Sequence, residues 1–77
     1  MTDEFRGLIA QALNIAPEQI RDDMTPETLK SWDSLATVNL IVGIEERYNL
    51  ALDLDELMKL TSVGGIRHLL NSKGISV

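Results

Sequence analysis

No cysteine occurs in the 77 residues. This excludes a disulfide framework, a thiolate metal site and a cysteine nucleophile, and it fits a reducing compartment. Histidine occurs once, at His68. A Ser-His-Asp constellation would have to join it to Ser34, Ser31 or Ser62, and a lone histidine after Arg67 reads instead as a surface residue. Aromatics are limited to Phe5, Trp32 and Tyr48, so the core must be built from Leu, Ile and Val. No apolar run approaches the roughly 20 residues that span a bilayer. The start, Met-Thr-Asp-Glu, lacks the basic-then-apolar pattern of a secretory signal, and a cytoplasmic setting is expected. The acids Asp53, Asp55 and Glu56 are clustered but lack the spaced oxygen ligands and glycine of a calcium loop. Gly43, Gly64 and Gly65 do not make a phosphate-cradling loop. No constellation for catalysis remains, and an enzyme is not expected.

What is present fits one small domain, residues 1–77, with 44% hydrophobic and 25% charged residues. A domain near this size buries only about 60–65% of its unfolded surface, so modest stability and no large catalytic cavity are expected. The net charge of −5 is uneven: −4 over residues 1–33, −3 over 34–59 and +2 over 60–77. An acidic body argues against nucleic-acid binding, which needs Lys and Arg to displace counterions. It favours basic partner surfaces, through steering more than tight binding.

Helical periodicity runs almost throughout. Phe5, Leu8, Ile9, Ala12 and Leu13 share one face of a first helix over about Asp3 to Asn14. Pro17 stops it. The stretch Ile15–Asp33 is long and irregular, with one-turn helix starts at Pro17-Glu18 and Thr25-Pro26-Glu27. Ile15, Ile20, Met24, Leu29 and Trp32 are its apolar anchors, and we expect a loop pinned to the bundle. A second main helix spans about Ser34 to Tyr48 and ends at Asn49. Leu35, Val38, Ile41, Val42 and Glu45 follow one row of it, and Leu40, Ile44 and Tyr48 another. So wide an apolar arc predicts packing on two sides. Asp53-Leu-Asp-Glu56 has the form of a capping box opening a short helix to about Leu60. Thr61 or Ser62 caps a last helix through Leu70, with Val63, Ile66, Leu69 and Leu70 inward and Gly74 in a frayed tail. The fold class is all-α: a small bundle of three main helices and one short helix, with a long first loop.

Ser31-Trp32-Asp33-Ser34-Leu35 lies at the junction of the long loop and the second helix. Asp33-Ser34-Leu35 is followed by Val38, Leu40, Ile44-Glu45-Glu46 and Tyr48, then by Leu52 and Asp53, then by Leu60-Thr61-Ser62-Val63. This pattern, with the chain length, resembles the acyl carrier protein family over nearly the whole chain. The resemblance implies that a phosphopantetheinyl transferase moves 4'-phosphopantetheine from coenzyme A onto Ser34. The arm's terminal thiol would then hold an acyl group as a thioester, with acyl-loading, synthase or modifying enzymes as further partners. A helix N-terminus, with unpaired N–H groups and partial positive charge, suits a phosphate. On local sequence alone, Ser34 or Asp33 would read simply as a helix cap.

By the same resemblance, Asp33 contributes to transferase recognition, and Leu35, Asn39, Val42, Glu45 and Glu46 belong to the partner face. Leu40, Ile44, Leu52, Leu57, Leu60 and Val63 are core by periodicity, and the resemblance implies that several line a slot for the acyl chain. Trp32 is open to two readings, recognition or a lid over the bundle end. So is Gly43, which either admits a neighbouring helix or is merely tolerated. Fatty-acid carriers usually have a strongly acidic second helix, whereas Ala36 and Asn39 stand where acids are common, and Glu45 and Glu46 are offset by Arg47. This resembles discrete carriers of specialised pathways such as polyketide assembly. An aminoacyl or peptidyl carrier and an unmodified protein–protein adaptor are the other readings. A monomer is expected, with no nucleic-acid or membrane partner.

Overall fold

A computed structural model describes all of residues 1–77. Each helix begins where a short polar side chain takes up an amide that no helical carbonyl can reach. Thr2 Oγ1 accepts from Phe5 N at 3.2 Å and starts α1, Asp3–Leu13. Asp33 Oδ1 accepts from Ala36 N at 2.9 Å and starts α2, Ser34–Tyr48. Asp53 and Glu56 exchange bonds of 2.9 and 3.0 Å in a complete capping box that starts α3, Leu54–Leu57. Ser62 Oγ accepts from Gly65 N at 2.9 Å and starts α4, Val63–Ser72. Asn14 and Asn49, at φ 58° and 54°, end α1 and α2 in the left-handed region that Asn tolerates. No helix is long and apolar enough to cross a membrane.

The three main helices, the short one and the long first loop are as the sequence predicts. Phe5, Ile9 and Leu13 from α1 meet Leu40 and Ile44 from α2 and Val63, Ile66 and Leu70 from α4 in a fully buried apolar core. Ala10 and Ala36, unnoticed by the periodicity, are buried too, because alanine lets backbones come close. α1 packs directly along α2.

The loop between α1 and α2 is pinned as expected. Ile20 and Trp32 are buried, and Ile15, Met24 and Leu29 are half-buried against the core. Pro17–Gln19 makes one 3-10 turn. Arg6 of α1 donates to the carbonyls of Pro17 and Ile20 at 3.2 and 3.3 Å. Further on, Met24 O and Asp22 O accept from Val63 N and Gly64 N at 3.1 and 2.9 Å, closing the first amides of α4. The Asp22 carboxylate pairs with Arg67 at 2.7 Å beside this junction.

Four local expectations need correction. Thr25-Pro26-Glu27 opens hydrogen-bonded turns, with Leu29 N on Thr25 O at 3.0 Å, but no helix, because the chain must extend again to bury Trp32. α3 stops at Leu57, not Leu60, since Leu60 is drawn into the core. α4 runs to Ser72, and Gly74 is not frayed. At φ 83° it turns the chain so that Ile75 N reaches Leu70 O at 3.0 Å, and Val77 packs inside with its carbonyl on Thr2 N at 3.1 Å. Finally, α2 is not covered on two sides: Leu35, Val38 and Val42 are exposed, and Ala36, Leu40 and Ile44 carry the packing.

The glycines divide by what surrounds them. A Cβ at Gly43 would meet only the Leu8 side chain at 3.6 to 3.7 Å, an ordinary contact, so this glycine is tolerated rather than required. A Cβ at Gly65 would stand 3.0 Å from Lys59 O and 3.1 Å from the capping Ser62 Oγ. Gly43→Ala is therefore expected to raise unfolding stability by about 0.5–1 kcal/mol through helix propensity. Gly65→Ala is expected to lower it by about 1–2 kcal/mol through overpacking. Urea unfolding of the two variants checks the opposite signs.

Candidate functional site

The chain enters α2 through a rigid junction. Trp32 is only 3% exposed, and its indole N–H donates to Thr37 Oγ1 at 3.2 Å. Thr37 Oγ1 in turn donates to Asp33 O at 3.1 Å. Trp32 therefore closes the end of the bundle, which accounts for its burial without any recognition role. Asp33, not Ser34, supplies the cap. Ser34 is left exposed as the first helical residue, and its hydroxyl makes no bond within the protein.

The four helix starts differ in how they would treat an anion. α1 and α3 carry acids in their first turns, Asp3 and Glu4 in one and Asp55 and Glu56 in the other. α4 has no such acid, but its Val63 and Gly64 amides are closed by loop carbonyls. α2 has no first-turn acid, and the Ser34 and Leu35 amides have no protein partner. It alone combines open N–H donors, an uncharged first turn and an exposed hydroxyl. Those donors and the end of the helix dipole fit a phosphodiester on Ser34.

The residues expected on the partner face are placed unequally. Leu35, Asn39, Val42 and Glu46 are exposed along one side of α2. Glu45 turns away from them: its Oε2 accepts from Leu52 N at 2.9 Å, tying the approach to α3 onto α2. Arg47 lies 3.9 Å from Glu4. Of the six residues expected to border an acyl chain, Leu40, Ile44 and Val63 are fully buried and Leu60 nearly so. Leu52 and Leu57 are half-buried against the same cluster. α3 itself buries no residue completely. Polar contacts help hold it: its capping box and the pairing of Glu56 with Lys73 at the end of α4. The Lys73 hydrogen bond first, and the Asp53 N–H second, hold the Glu56 carboxyl below the usual carboxylate range. No group of three or more His, Asp or Glu could hold a metal ion.

Sequence reasoning missed three exposed apolar side chains: Val38, Leu54 and Met58. Val38 followed a helical row that was read as packed. Leu54 opens, and Met58 follows, a helix of four residues, too short to carry a periodic signal.

The chain is thus a small bundle of four helices with an exposed, unbonded serine at the start of its second main helix. Residues 3–70 match the family described as the phosphopantetheine attachment site. The polyketide-8 synthase acyl carrier protein 2 of Streptomyces avermitilis is 31% identical over 71 residues, covering 92% of this chain and 82% of that protein. The acyl carrier protein of Wolinella succinogenes is 27% identical over 64 residues, covering 83% of this chain and 84% of its own length. That of Thermosynechococcus vestitus is 25% identical over 71 residues, covering 92% and 88%. The chain belongs to the acyl carrier protein family. It is a carrier and not an enzyme, and its cofactor is covalently attached 4'-phosphopantetheine. When attached, that arm supplies the thiol on which an acyl group is held as a thioester. Proteins of this family work with phosphopantetheinyl transferases and synthase enzymes.

Proposed function

We propose that Ser34 is the residue that takes the phosphopantetheine arm, and that residues 1–77 act as one carrier unit presenting acyl groups to biosynthetic enzymes. The observation that carries this reading is the start of α2, where an exposed free hydroxyl stands beside the unpartnered Ser34 and Leu35 amides with no acid in the first turn. Asp33 holds that turn open through Ala36 N and leaves the serine accessible to a transferase. Leu35, Asn39, Val42 and Glu46, exposed beyond it, form the partner face. Glu45 supports that face indirectly by fastening Leu52. The absence of cysteine suits a cytoplasmic setting, where the only thiol would be that of the arm.

Incubating the purified protein with coenzyme A, Mg²⁺ and a broad-specificity phosphopantetheinyl transferase is expected to add one phosphopantetheinyl group by intact mass. Ser34→Ala is expected to add none. Because Asp33 provides the cap, Ser34→Ala should change stability by no more than about 0.5 kcal/mol. Loading of the variant would move the attachment elsewhere. No loading of the parent with several transferases would leave an unmodified adaptor.

The acyl chain would enter between α2 and α3, where the half-buried Leu52 and Leu57 pack against the core cluster that holds Leu40 and Ile44. α3 buries nothing completely and is the element that can part from the core at least cost. Amide NMR shifts of Leu40, Ile44, Leu52 and Leu57 are expected to move when a medium-length acyl chain replaces the free thiol. Unchanged shifts would show that the chain stays outside.

The sparse charge of α2, with Glu46 as its one free outward carboxylate, supports a specialised pathway rather than housekeeping fatty-acid synthesis. The 31% identity with the Streptomyces avermitilis polyketide-8 synthase carrier points the same way. The protein is expected not to restore growth to bacteria lacking their fatty-acid carrier, and restored growth would overturn this assignment.

A further inference from the structure

Neither the hydroxyl nor the amide of Ser34 has a partner in the protein, so its place is set by its neighbours. Asp33, just before it, is held through side chain and backbone. Its Oδ1 accepts from Ala36 N at 2.9 Å, and its carbonyl accepts from Thr37 N at 3.0 Å and Thr37 Oγ1 at 3.1 Å. The same Thr37 oxygen accepts from the Trp32 indole N–H at 3.2 Å. One hydroxyl thus ties Trp32 and Asp33, the residues that lead into Ser34, to a position one turn inside α2. The helix itself does not need that hydroxyl. The Thr37 amide already closes on Asp33 O, and threonine is a poorer helix former than alanine. The need comes from Trp32, whose ring is buried and whose N–H has Thr37 Oγ1 as its one acceptor. A buried indole with an unmet N–H is costly, and turning the ring toward water relieves that cost. Such a turn would draw Asp33 off the Ala36 amide and carry Ser34 with it.

We propose that Thr37 is a positioning residue for phosphopantetheine attachment, its hydroxyl fixing Ser34 by bridging the Trp32 indole and the Asp33 carbonyl. The inference rests on Ser34 as the attachment residue. Thr37 touches no reacting atom, because its hydroxyl is occupied, accepting from Trp32 and donating to Asp33. In the transfer, Ser34 Oγ bonds to the phosphorus on the pantetheine side of coenzyme A. The P–O bond of the pyrophosphate breaks, adenosine bisphosphate leaves, and the hydroxyl proton passes to a base on the transferase. Such a displacement needs the oxygen close to the phosphorus and in line, and a misplacement of about 1 Å is enough to slow it. The bridge therefore acts on the rate of the step rather than on the binding of the transferase.

The test is kcat and KM of phosphopantetheine transfer from coenzyme A to the purified protein by a broad-specificity transferase, well below each variant's thermal midpoint. Thr37→Val keeps the side-chain shape without the hydroxyl, and is expected to lower kcat about tenfold with KM changed less than about twofold. Thr37→Ser restores the hydroxyl and is expected to stay within about twofold of the parent in both. Trp32 is the only tryptophan, so one NMR signal from its indole N–H reads the bridge. That proton is expected to exchange with water faster in Thr37→Val and at the parental rate in Thr37→Ser. Trp32→Phe leaves no N–H to satisfy, and adding Thr37→Val to it is expected to lower kcat less than about threefold. A loss of about tenfold in that background too, or a raised KM at unchanged kcat, makes Thr37 a transferase contact and overturns the proposal. Parental kcat in Thr37→Val with a lowered thermal midpoint also overturns it, leaving the bridge a purely structural one. A loss of about tenfold in Thr37→Ser overturns it whether or not Thr37→Val folds. Each of these leaves Ser34 as the attachment site. No transfer to the parent protein overturns the Ser34 reading and this proposal together.

Discussion

The position at which α2 begins governs the rest of the molecule, and Trp32 sets it. Its indole is buried at the end of the bundle and bonded to Thr37, while the next residue, Asp33, caps the helix. Burial of one large aromatic next to a charge that must stay exposed leaves the chain a single way to enter the helix. Ser34 then falls on the first helical residue, facing solvent. Every residue of α2 inherits its direction from that register. Ala36, Leu40 and Ile44 point into the core, and Leu35, Val38 and Val42 point away from it.

The same division explains how a domain of 77 residues reconciles a packed core with a carrier's task. α1 and α4 supply most of the buried surface and are closed at both ends by caps, loop carbonyls or the returning tail. α3 contributes no fully buried residue, and polar bonds from Glu45 and Lys73 help hold it. Stability is thus concentrated away from α3, the element closest to the proposed slot. An element held largely by exchangeable polar bonds can shift without dismantling the core.

Much of this was legible in the residues. Asp33, Asp53 and Ser62 announce three helix starts, because an oxygen one turn before an amide answers a local need of the backbone. Asn49 ends α2 for an equally local reason. The anchoring role of Ile20 and Trp32 could be read from apolar residues isolated in polar surroundings. Less legible was which apolar residues of α2 would stay uncovered. A valine on a helix has the same periodicity whether a neighbour packs on it or not. Gly64 was equally opaque: its service, letting the Asp22 backbone approach α4, depends on a segment far away in the chain.

The amino-acid sequence by itself determined the helices, their caps and the presence of a serine motif at the head of the second one. These rest on hydrogen bonds and side-chain spacing within a turn or two. Only the tertiary structure decided that loop carbonyls close the amides of α4 while those of α2 stay open. It also decided that Gly74 turns a tail back into the core and that the apolar row of Leu35, Val38 and Val42 is left bare. Each of these depends on which distant segment arrives at a given helix end or face, and a pattern read along the chain carries no record of that.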